Sequence, residues 1–149
     1  MAAGDGCSGM DITTALDFAR PLRNGVLTTT KRDGRPQLSN ITYAVGDDGV
    51  VRISITADRA KYVNLRRDPR ASLHVTREDF WAYVVLEGDA DVAPVATATD
   101  DATVEELVGL YRSVAGEHKD WDDYRAAMVR DHRTVVRLRP THAYGMLGA

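Results

Sequence analysis

The chain has 149 residues, a length that suits one domain with one hydrophobic core. Its 44% hydrophobic and 28% charged residues are ordinary for a soluble globular protein. The net charge of −3 argues against a general nucleic-acid binder, because such proteins carry a broad basic excess.

The Gly- and Ala-rich N-terminus predicts a disordered tail over residues 1–10, followed by a single domain over 11–149. This start lacks the basic and apolar regions of a signal peptide, and no apolar run approaches the length of a membrane span. A single cysteine, Cys7, excludes a disulfide within the chain and fits a reducing compartment. We therefore expect a cytoplasmic protein without membrane contact.

The first half of the chain predicts one helix followed by three strands. Apolar residues at helical spacing predict a helix over 11–19, which Pro21 ends. β-Branched runs then predict strands over 25–30, 36–45 and 50–56, joined by tight turns at 32–35 and 46–49.

The second half predicts three helices among further strands. Asp58 is the expected cap of a short helix over 60–68, which Pro69 ends, and Thr99 or Asp100 is the expected cap of a helix over 99–115. The remaining predicted elements are strands over 70–76, 81–92 with a bulge or bend at Gly88, and 133–139, a helix over 120–131, and a short last strand over 143–146. This order predicts a mainly β (α+β) fold, a small antiparallel barrel of about six strands with peripheral helices.

A cluster of cations and hydroxyls marks the first candidate site. Arg59 and Lys61 lie in the first turn of the short helix, where the helix dipole disfavours positive charge. Ser54 and Thr56 directly precede them on the third strand, so the group resembles a phosphate cradle. The alternative is a solvated basic helix, which is what most charge runs are.

The second and fifth strands carry further candidates. Gln37 and Ser39 share one face of the second strand and Asn40 lies on the other, so both faces are polar. Such a strand is either exposed or lies against a flat heterocycle with donors and acceptors. Trp81 and Tyr83 alternate on one face of the fifth strand, where they predict core packing or one wall of a planar-ligand site.

Motifs of protein-borne catalysis are absent from the sequence. It contains no G-x-S-x-G, no G-x-x-x-x-G-K-[ST], no G-x-G-x-x-G and no H-E-x-x-H. The four histidines, His74, His118, His132 and His142, lack ligand spacing, so no metal site is predicted. If the protein is an enzyme, a bound cofactor is expected to perform the chemistry.

Five segments together resemble one family, the flavin and deazaflavin oxidoreductases of the split β-barrel class, which are relatives of pyridoxamine 5′-phosphate oxidase. The branch most resembled is the actinobacterial one that uses the deazaflavin coenzyme F420. The segments are 25–30, 33–40, 59–61, 64–72 and 115–125, within a likeness that runs from residue 11 to 144. The resemblance implies a homodimer with cofactor sites in grooves at the subunit interface, acting on a small-molecule substrate.

The resemblance also implies roles for individual residues. The implied cofactor contacts are Arg59, Lys61 and Ser54 at the phosphate; Gln37, Ser39 and Asn40 along the ring and ribityl chain; Arg66, Ala71 and Ser72 as further contacts; Trp81 and Tyr83 at the border; and His142 with Tyr144 from the partner subunit. Reduced deazaflavin would transfer a hydride from C5 to an electrophilic carbon. No catalytic residue is assigned, since Tyr43, Tyr83 and water are all possible proton donors.

Two alternatives stay open at this point. FMN also has a phosphate, so an FMN-dependent oxidase or reductase on the same barrel fits the same cations. Arg35, Arg66 and Arg67 favour the deazaflavin coenzyme, because its acidic oligoglutamate tail calls for extra cations. A carrier or sensor that binds the cofactor without turnover is the second alternative.

Overall fold

The computed structural model describes residues 9–148, which form six strands and four helices. Their bounds are α1 Ile12–Ala19, β1 Asn24–Thr30, β2 Pro36–Val45, β3 Val51–Thr56, α2 Ala60–Arg67, β4 Arg70–Thr76, β5 Tyr83–Val92, α3 Ala102–Ala115, α4 Trp121–Arg130 and β6 Arg133–Met146. Residues 1–8 of the predicted tail lie outside the described part. The Met10 N–H donates to the Ala143 carbonyl at 2.8 Å, so contact with the barrel begins before residue 11. No helix within 9–148 has the length and apolar character needed to cross a membrane.

The strands form a closed antiparallel barrel in the order β1-β2-β3-β6-β5-β4. The predicted six-stranded barrel with peripheral helices is therefore confirmed. Its last strand differs from the prediction, because β6 is one strand of 14 residues rather than two short ones. Pro140, which lacks an N–H, is tolerated because it lies at the register shift opposite Glu87 and Gly88. The register shift between Glu87 and Gly88 confirms the predicted bulge or bend. Glycine is required there because a Cβ on residue 88 would lie 2.1 Å from the Arg139 carbonyl oxygen.

Strand alternation separates the barrel interior from a second core outside it. Along β3, Val51, Ile53 and Ile55 are buried, and the residues between them face outward as predicted. Outside the barrel, α3 and α4 pack Leu107 and Met128 against the outward-facing Val135 of β6. The α3–α4 hairpin therefore stands as a wall beside the outer face of β3 and β6, and this wall shapes the site described below.

Two predicted helix caps are wrong. Asp58 does not cap α2, because its carboxylate accepts a hydrogen bond from the Thr56 hydroxyl at 2.5 Å. Arg59 is the N-cap instead and makes no side-chain capping bond. Helix α3 begins at Ala102 and is capped by Asp101, whose carboxylate accepts from the Val104 N–H at 2.8 Å. Thr99 and Asp100 thus lie before the helix.

A partly buried carboxylate ties α3 to the barrel. Glu106 accepts hydrogen bonds from Arg52 of β3 at 2.9 Å and from Arg137 of β6 at 2.6 Å. Asp48 and Asp91 pair with the same two arginines from the other side. Burial raises the pKa of the Glu106 carboxyl, but the hydrogen bonds from Arg137 and Arg52 outweigh burial and lower it below its ordinary value.

Tyr43 is a structural residue of the barrel interior. Its side chain is fully buried, and its hydroxyl donates to the Ala19 carbonyl of α1 at 2.6 Å. Burial raises the pKa of this hydroxyl. Tyr43 is therefore not a proton donor to a bound substrate, which corrects the sequence-based expectation.

Replacing Tyr43 with phenylalanine tests this structural role. We expect Tyr43→Phe to lower the free energy of unfolding by about 1–3 kcal/mol, because the Ala19 carbonyl loses its buried donor. Urea unfolding measures the loss, and cofactor affinity should stay unchanged. Tyr62→Phe is the matched control, because the Tyr62 hydroxyl bonds only to the exposed Arg66 side chain. An equal loss in both variants would contradict the assignment.

Candidate functional site

A cavity of about 620 Å³ lies between the outer face of β2 and β3, the start of α2 and the α3–α4 hairpin. We call it the cationic chamber. The strands contribute Asn40, Thr42, Ser54 and Thr56, and the helical hairpin contributes an apolar and aromatic wall. The cations come from the first turn of α2 and from the first residue of β6. The lining is Ser39, Asn40, Ile41, Thr42, Ser54, Ile55, Thr56, Arg59, Lys61, Leu110, Tyr111, Val114, Tyr124, Met128 and Arg133.

Three cations converge in this chamber without a direct ion pair to a carboxylate. Asp58 lies near two of them: the hydrogen bond from Thr56 lowers the pKa of its carboxyl, and the charges of Arg59 and Arg133 lower it further. Arg59, Lys61 and Arg133 line it together, and none of them forms an ion pair with the acidic side chains of residues 9–148. Burial lowers the pKa of the Lys61 ammonium, and the positive charges of Arg59 and Arg133 lower it further. An anion bound between the three would relieve this repulsion.

Two buried polar atoms at the same chamber lack hydrogen-bond partners. They are Ser39 Oγ and Arg133 Nε. The Arg133 Nη1 makes a long contact of 3.4 Å with Ser54 Oγ, so only part of its guanidinium is satisfied. An unpaired buried polar group costs about 1–3 kcal/mol of stability.

A second cavity of about 500 Å³ adjoins the first on the outer face of β1, β2 and β4. Both cavities are lined by Asn40, Ile41 and Thr42, so together they form one groove. We call the second cavity the strand chamber. Its further polar side chains are Asn24, His74 and Thr76. Neutral amides and hydroxyls dominate here, whereas the charges are confined to the cationic chamber.

The structure brings together five of the site residues predicted from the sequence. Ser39, Asn40, Ser54, Arg59 and Lys61 all line the cationic chamber. Arg133 belongs to the same cluster and was missed, because no local motif marks it. Only the pairing of β3 with β6, which sets Thr56 beside Arg133, brings it to the site.

Other predicted residues lie elsewhere in the single chain. The Gln37 Oε1 accepts from the Thr29 hydroxyl at 2.9 Å, and that hydroxyl accepts from the Asn64 amide at 3.1 Å. Gln37 therefore belongs to a polar network at the barrel end. Arg66 lies over the Tyr62 ring at 5.6 Å, in a different groove.

The residues expected at the border of the groove also lie outside the cationic chamber. Ala71 and Ser72 line a separate cavity of about 450 Å³ on the outer face of β4 and β5. Trp81 precedes β5 instead of starting it, and its side chain is 77% exposed. The prediction that Trp81 packs in the core is therefore wrong. Tyr83 packs on His74 with ring centroids 5.3 Å apart, and the His142 Nε2 lies 4.0 Å from Glu87.

Comparison with known proteins assigns the family. A profile described as pyridoxamine 5′-phosphate oxidase matches residues 14–147. The chain belongs to the pyridoxamine 5′-phosphate oxidase family. The resemblance predicted from the sequence is thereby confirmed, and the family includes oxidoreductases that bind flavin-type cofactors.

Solved structures of similar proteins share the fold. A conserved hypothetical protein, Rv2991 from Mycobacterium tuberculosis, is 27% identical with a TM-score of 0.72, over 93% of this chain and 85% of its own. A protein titled F420 reductase is 26% identical with a TM-score of 0.65, over 91% and 98% of the two chains. A heme binding protein from Mycobacterium smegmatis shares the fold at 20% identity, with a TM-score of 0.62, over 92% of this chain and 53% of its own.

The groove fits the flavin-type cofactors of the pyridoxamine 5′-phosphate oxidase family. Such cofactors combine a phosphate with a planar ring that carries hydrogen-bonding groups. Arg59, Lys61 and Arg133 match the phosphate. Among residues 9–148, no three His, Cys, Asp or Glu side chains are grouped to hold a metal ion.

An aromatic cluster fixes the helical wall of this groove. The rings of Tyr111, His118, Trp121 and Tyr124 lie within 5.0–5.7 Å of one another. The Tyr124 hydroxyl contacts the Leu107 carbonyl at 3.1 Å, and burial raises the pKa of Tyr124 to about 12. Tyr111 and Tyr124 thus form a fixed surface of the cationic chamber.

Proposed function

We propose that this chain is a coenzyme F420-dependent reductase that transfers a hydride from the reduced deazaflavin to an electrophilic carbon of an organic substrate. The observation that carries the proposal is the cluster of Arg59, Lys61 and Arg133, which line one cavity and form no direct ion pair among residues 9–148. The 26% identical F420 reductase supports the choice of cofactor.

The similarity to the F420 reductase favours the deazaflavin coenzyme over FMN, since the cations of the chamber fit the phosphate of either cofactor. FMN ends in a phosphate monoester, whereas the phosphate of coenzyme F420 is a diester that continues into an acidic tail. The chamber holds about 620 Å³, far more than a phosphate fills, and it extends to Leu110 and Val114 of α3. Two of the arginines that the sequence suggested for the acidic tail, Arg35 and Arg67, bond to other groups of the chain. Arg35 pairs with Asp33 at 3.9 Å, and Arg67 bonds the Thr30 carbonyl.

The residues of the chain bind and orient, and the bound cofactor supplies the hydride. Arg59, Lys61 and Arg133 hold the phosphate through charge-assisted hydrogen bonds. Asn40 and Thr42 present polar groups where the two chambers join, and they set the position of the ring. Leu110 and Val114 give the chamber an apolar wall, and Arg59 is exposed.

We propose in addition that two copies of the chain associate to complete the groove. Phe80, Trp81 and Met146 are 81%, 77% and 61% exposed near one end of β5 and β6. Exposed apolar side chains of this size favour a partner surface. In the homodimer, each copy would cover the open strand chamber of the other.

Charge-free substitutions in this apolar group test the association. The double variant Phe80→Ser, Trp81→Ser is expected to shift the protein from dimer to monomer in light scattering coupled to gel filtration, because the interface loses its aromatic contacts. Leu38→Ser, at a 60% exposed position on β2, is the control. A wild-type monomer would contradict the dimer proposal.

A binding titration tests the proposed cofactor. We expect the apoprotein to bind coenzyme F420 more tightly than FMN in a fluorescence titration. Lys61→Ala should lower the affinity for coenzyme F420 roughly tenfold to hundredfold, because the lost charge-assisted contact contributes about 1.5–3 kcal/mol. Lys119→Ala is the control, because Lys119 is exposed in the loop between α3 and α4.

Other outcomes would identify the alternatives. Tighter binding of FMN, with oxygen consumption on turnover, would indicate an FMN-dependent oxidase. Tight binding of coenzyme F420 without reduction of any enone, quinone or tetrapyrrole would indicate a carrier. Equal affinity of Lys61→Ala and wild type would overturn the phosphate assignment.

A further inference from the structure

We propose that His74 is the proton donor in substrate reduction, acting from the strand chamber. The inference rests on the proposed function, because it names the acid that the hydride transfer requires. The carrying observation is that the His74 imidazole lines the chamber that adjoins the cation cluster. The sequence offered no reason to single it out among four histidines.

The fold presents His74 to the groove and fixes its ring. His74 lies on β4, paired with Val26 of β1 and Val85 of β5. Its Nδ1 lies 3.3 Å from the Thr76 hydroxyl, and the Tyr83 ring packs against it at 5.3 Å. The same hydroxyl also lies 3.5 Å from Nε2. A protonated ring has an N–H on each nitrogen, and one of them can donate to a ligand.

Other ionisable side chains fit the role less well. In the described part of the chain, His74 is the one ionisable side chain that lines the strand chamber. Arg59, Lys61 and Arg133 are occupied by the phosphate in the proposed function, and arginine does not release protons near neutral pH. Tyr124 contacts the Leu107 carbonyl, and its pKa of about 12 makes it a weak acid.

The proton transfer completes a balanced two-electron reduction of a conjugated carbonyl. The hydride adds to the β-carbon, a C–H bond forms there, and the C=C electron pair moves to give an enolate. An imidazolium N–H bond then breaks and its proton goes to the enolate oxygen, which leaves neutral imidazole and an enol that tautomerises to the saturated ketone in solvent. Solvent returns a proton to the imidazole, and the cofactor leaves oxidised. An imidazole suits this exchange because it can both donate and accept a proton.

The pH profile of the reaction depends on the groups that face His74. On β5 these are Tyr83 and Glu87, and on β6 they are His142 and Tyr144, all on the outer face of the barrel. The outward positions of β1 are Asn24, Val26 and Thr28, which carry no charge. The control variant is therefore taken from outside this group.

The first test compares His74→Gln with wild type in the cofactor-loaded protein. With 2-cyclohexenone as the probe substrate, we expect kcat to fall about a hundredfold or more. The fall of kcat with rising pH that an imidazolium donor imposes should vanish, while the affinity for coenzyme F420 stays within twofold. His132→Gln is the matched control, because His132 is exposed and lines neither chamber, and it should keep the wild-type pH profile.

The second test needs no turnover. The 4-nitrophenolate oxygen mimics the enolate oxygen, so the cofactor-loaded wild type should bind this probe about tenfold to hundredfold more tightly than His74→Gln. Equal phenolate affinity in the two proteins, or no binding to wild type, would overturn the role of His74. Failure of coenzyme F420 to bind wild type would instead overturn the proposed function, and this outcome is seen in the cofactor titration alone.

Discussion

Replacing Arg133 with methionine is expected to weaken coenzyme F420 binding about tenfold to hundredfold without destabilising the apoprotein. The Arg133 guanidinium lines the cationic chamber, and its buried Nε has no partner. A charge held without a counter-ion lowers stability when no ligand is present and contributes to binding once an anion arrives. The two measured quantities should therefore move in opposite directions.

The same substitution changes the ionisation of its neighbour. The positive charge of Arg133 is one cause of the lowered pKa of Lys61. Removing that charge should raise the pKa of Lys61 toward its ordinary value, because the protonated ammonium then meets less repulsion. NMR titration of lysine side chains labelled with 13C measures this change.

Thermal unfolding and cofactor titration of Arg133→Met, run together, separate binding from folding. Arg130→Met is the matched control, because Arg130 is exposed at the end of α4 and pairs only with Asp131. A variant that unfolds at a lower temperature than wild type and binds the cofactor normally would show that Arg133 is a structural residue.

Replacing Glu106 with glutamine is expected to lower the free energy of unfolding by about 2–3 kcal/mol. Its carboxylate is the shared acceptor for Arg52 and Arg137, and an amide supplies only one oxygen and turns an N–H₂ toward a cation. Breaking a fully buried ion pair costs about 3–5 kcal/mol. The expected loss is smaller here because Arg52 and Arg137 keep their ion pairs with Asp48 and Asp91. Urea unfolding measures the loss. Glu105→Gln, at the exposed neighbouring position, should cost less than about 1 kcal/mol.

Acid titration of stability gives a second measurement on Glu106. Because the folded protein lowers the pKa of this carboxyl below 4.5, its contribution is fully present above that pH. The contribution is lost as the pH falls through the lower pKa of the folded state. From pH 6 downward, the free energy of unfolding should therefore fall less steeply with pH in Glu106→Gln than in wild type. The same pH dependence of the free energy of unfolding in both proteins would indicate that other carboxylates dominate acid unfolding.

Local sequence patterns predicted most of the barrel because strand signals are local. The alternation of Val51, Ile53 and Ile55 with polar residues decides which face of β3 is buried, and no distant contact is needed. The helix caps were harder to predict from the sequence. Thr99, Asp100 and Asp101 all have capping side chains, and only the folded backbone decides that Asp101 meets the Val104 N–H.

The candidate site could be predicted only where it follows one stretch of chain. Arg59 and Lys61 stand beside Ser54 in the sequence and also in the cationic chamber. Arg133 joins them through strand pairing across more than half of the domain, and His74 faces the groove because β4 closes on β1. Neither contact leaves a trace in residue spacing, so both had to come from the structure.

The place of β6 in the barrel has a consequence for how the chain folds. Positions 51–56 pair with 133–138, and the other side of β6 pairs with β5, so the last strand in sequence completes both pairings. A nascent chain that ends before Arg133 leaves β3 and β5 with unsatisfied edges, which invite association with other chains. Barrel closure must therefore wait until β6 has been synthesised, and its non-local pairing makes slow folding the expectation. Chaperone dependence during translation would then be a property of this topology rather than of the cofactor site.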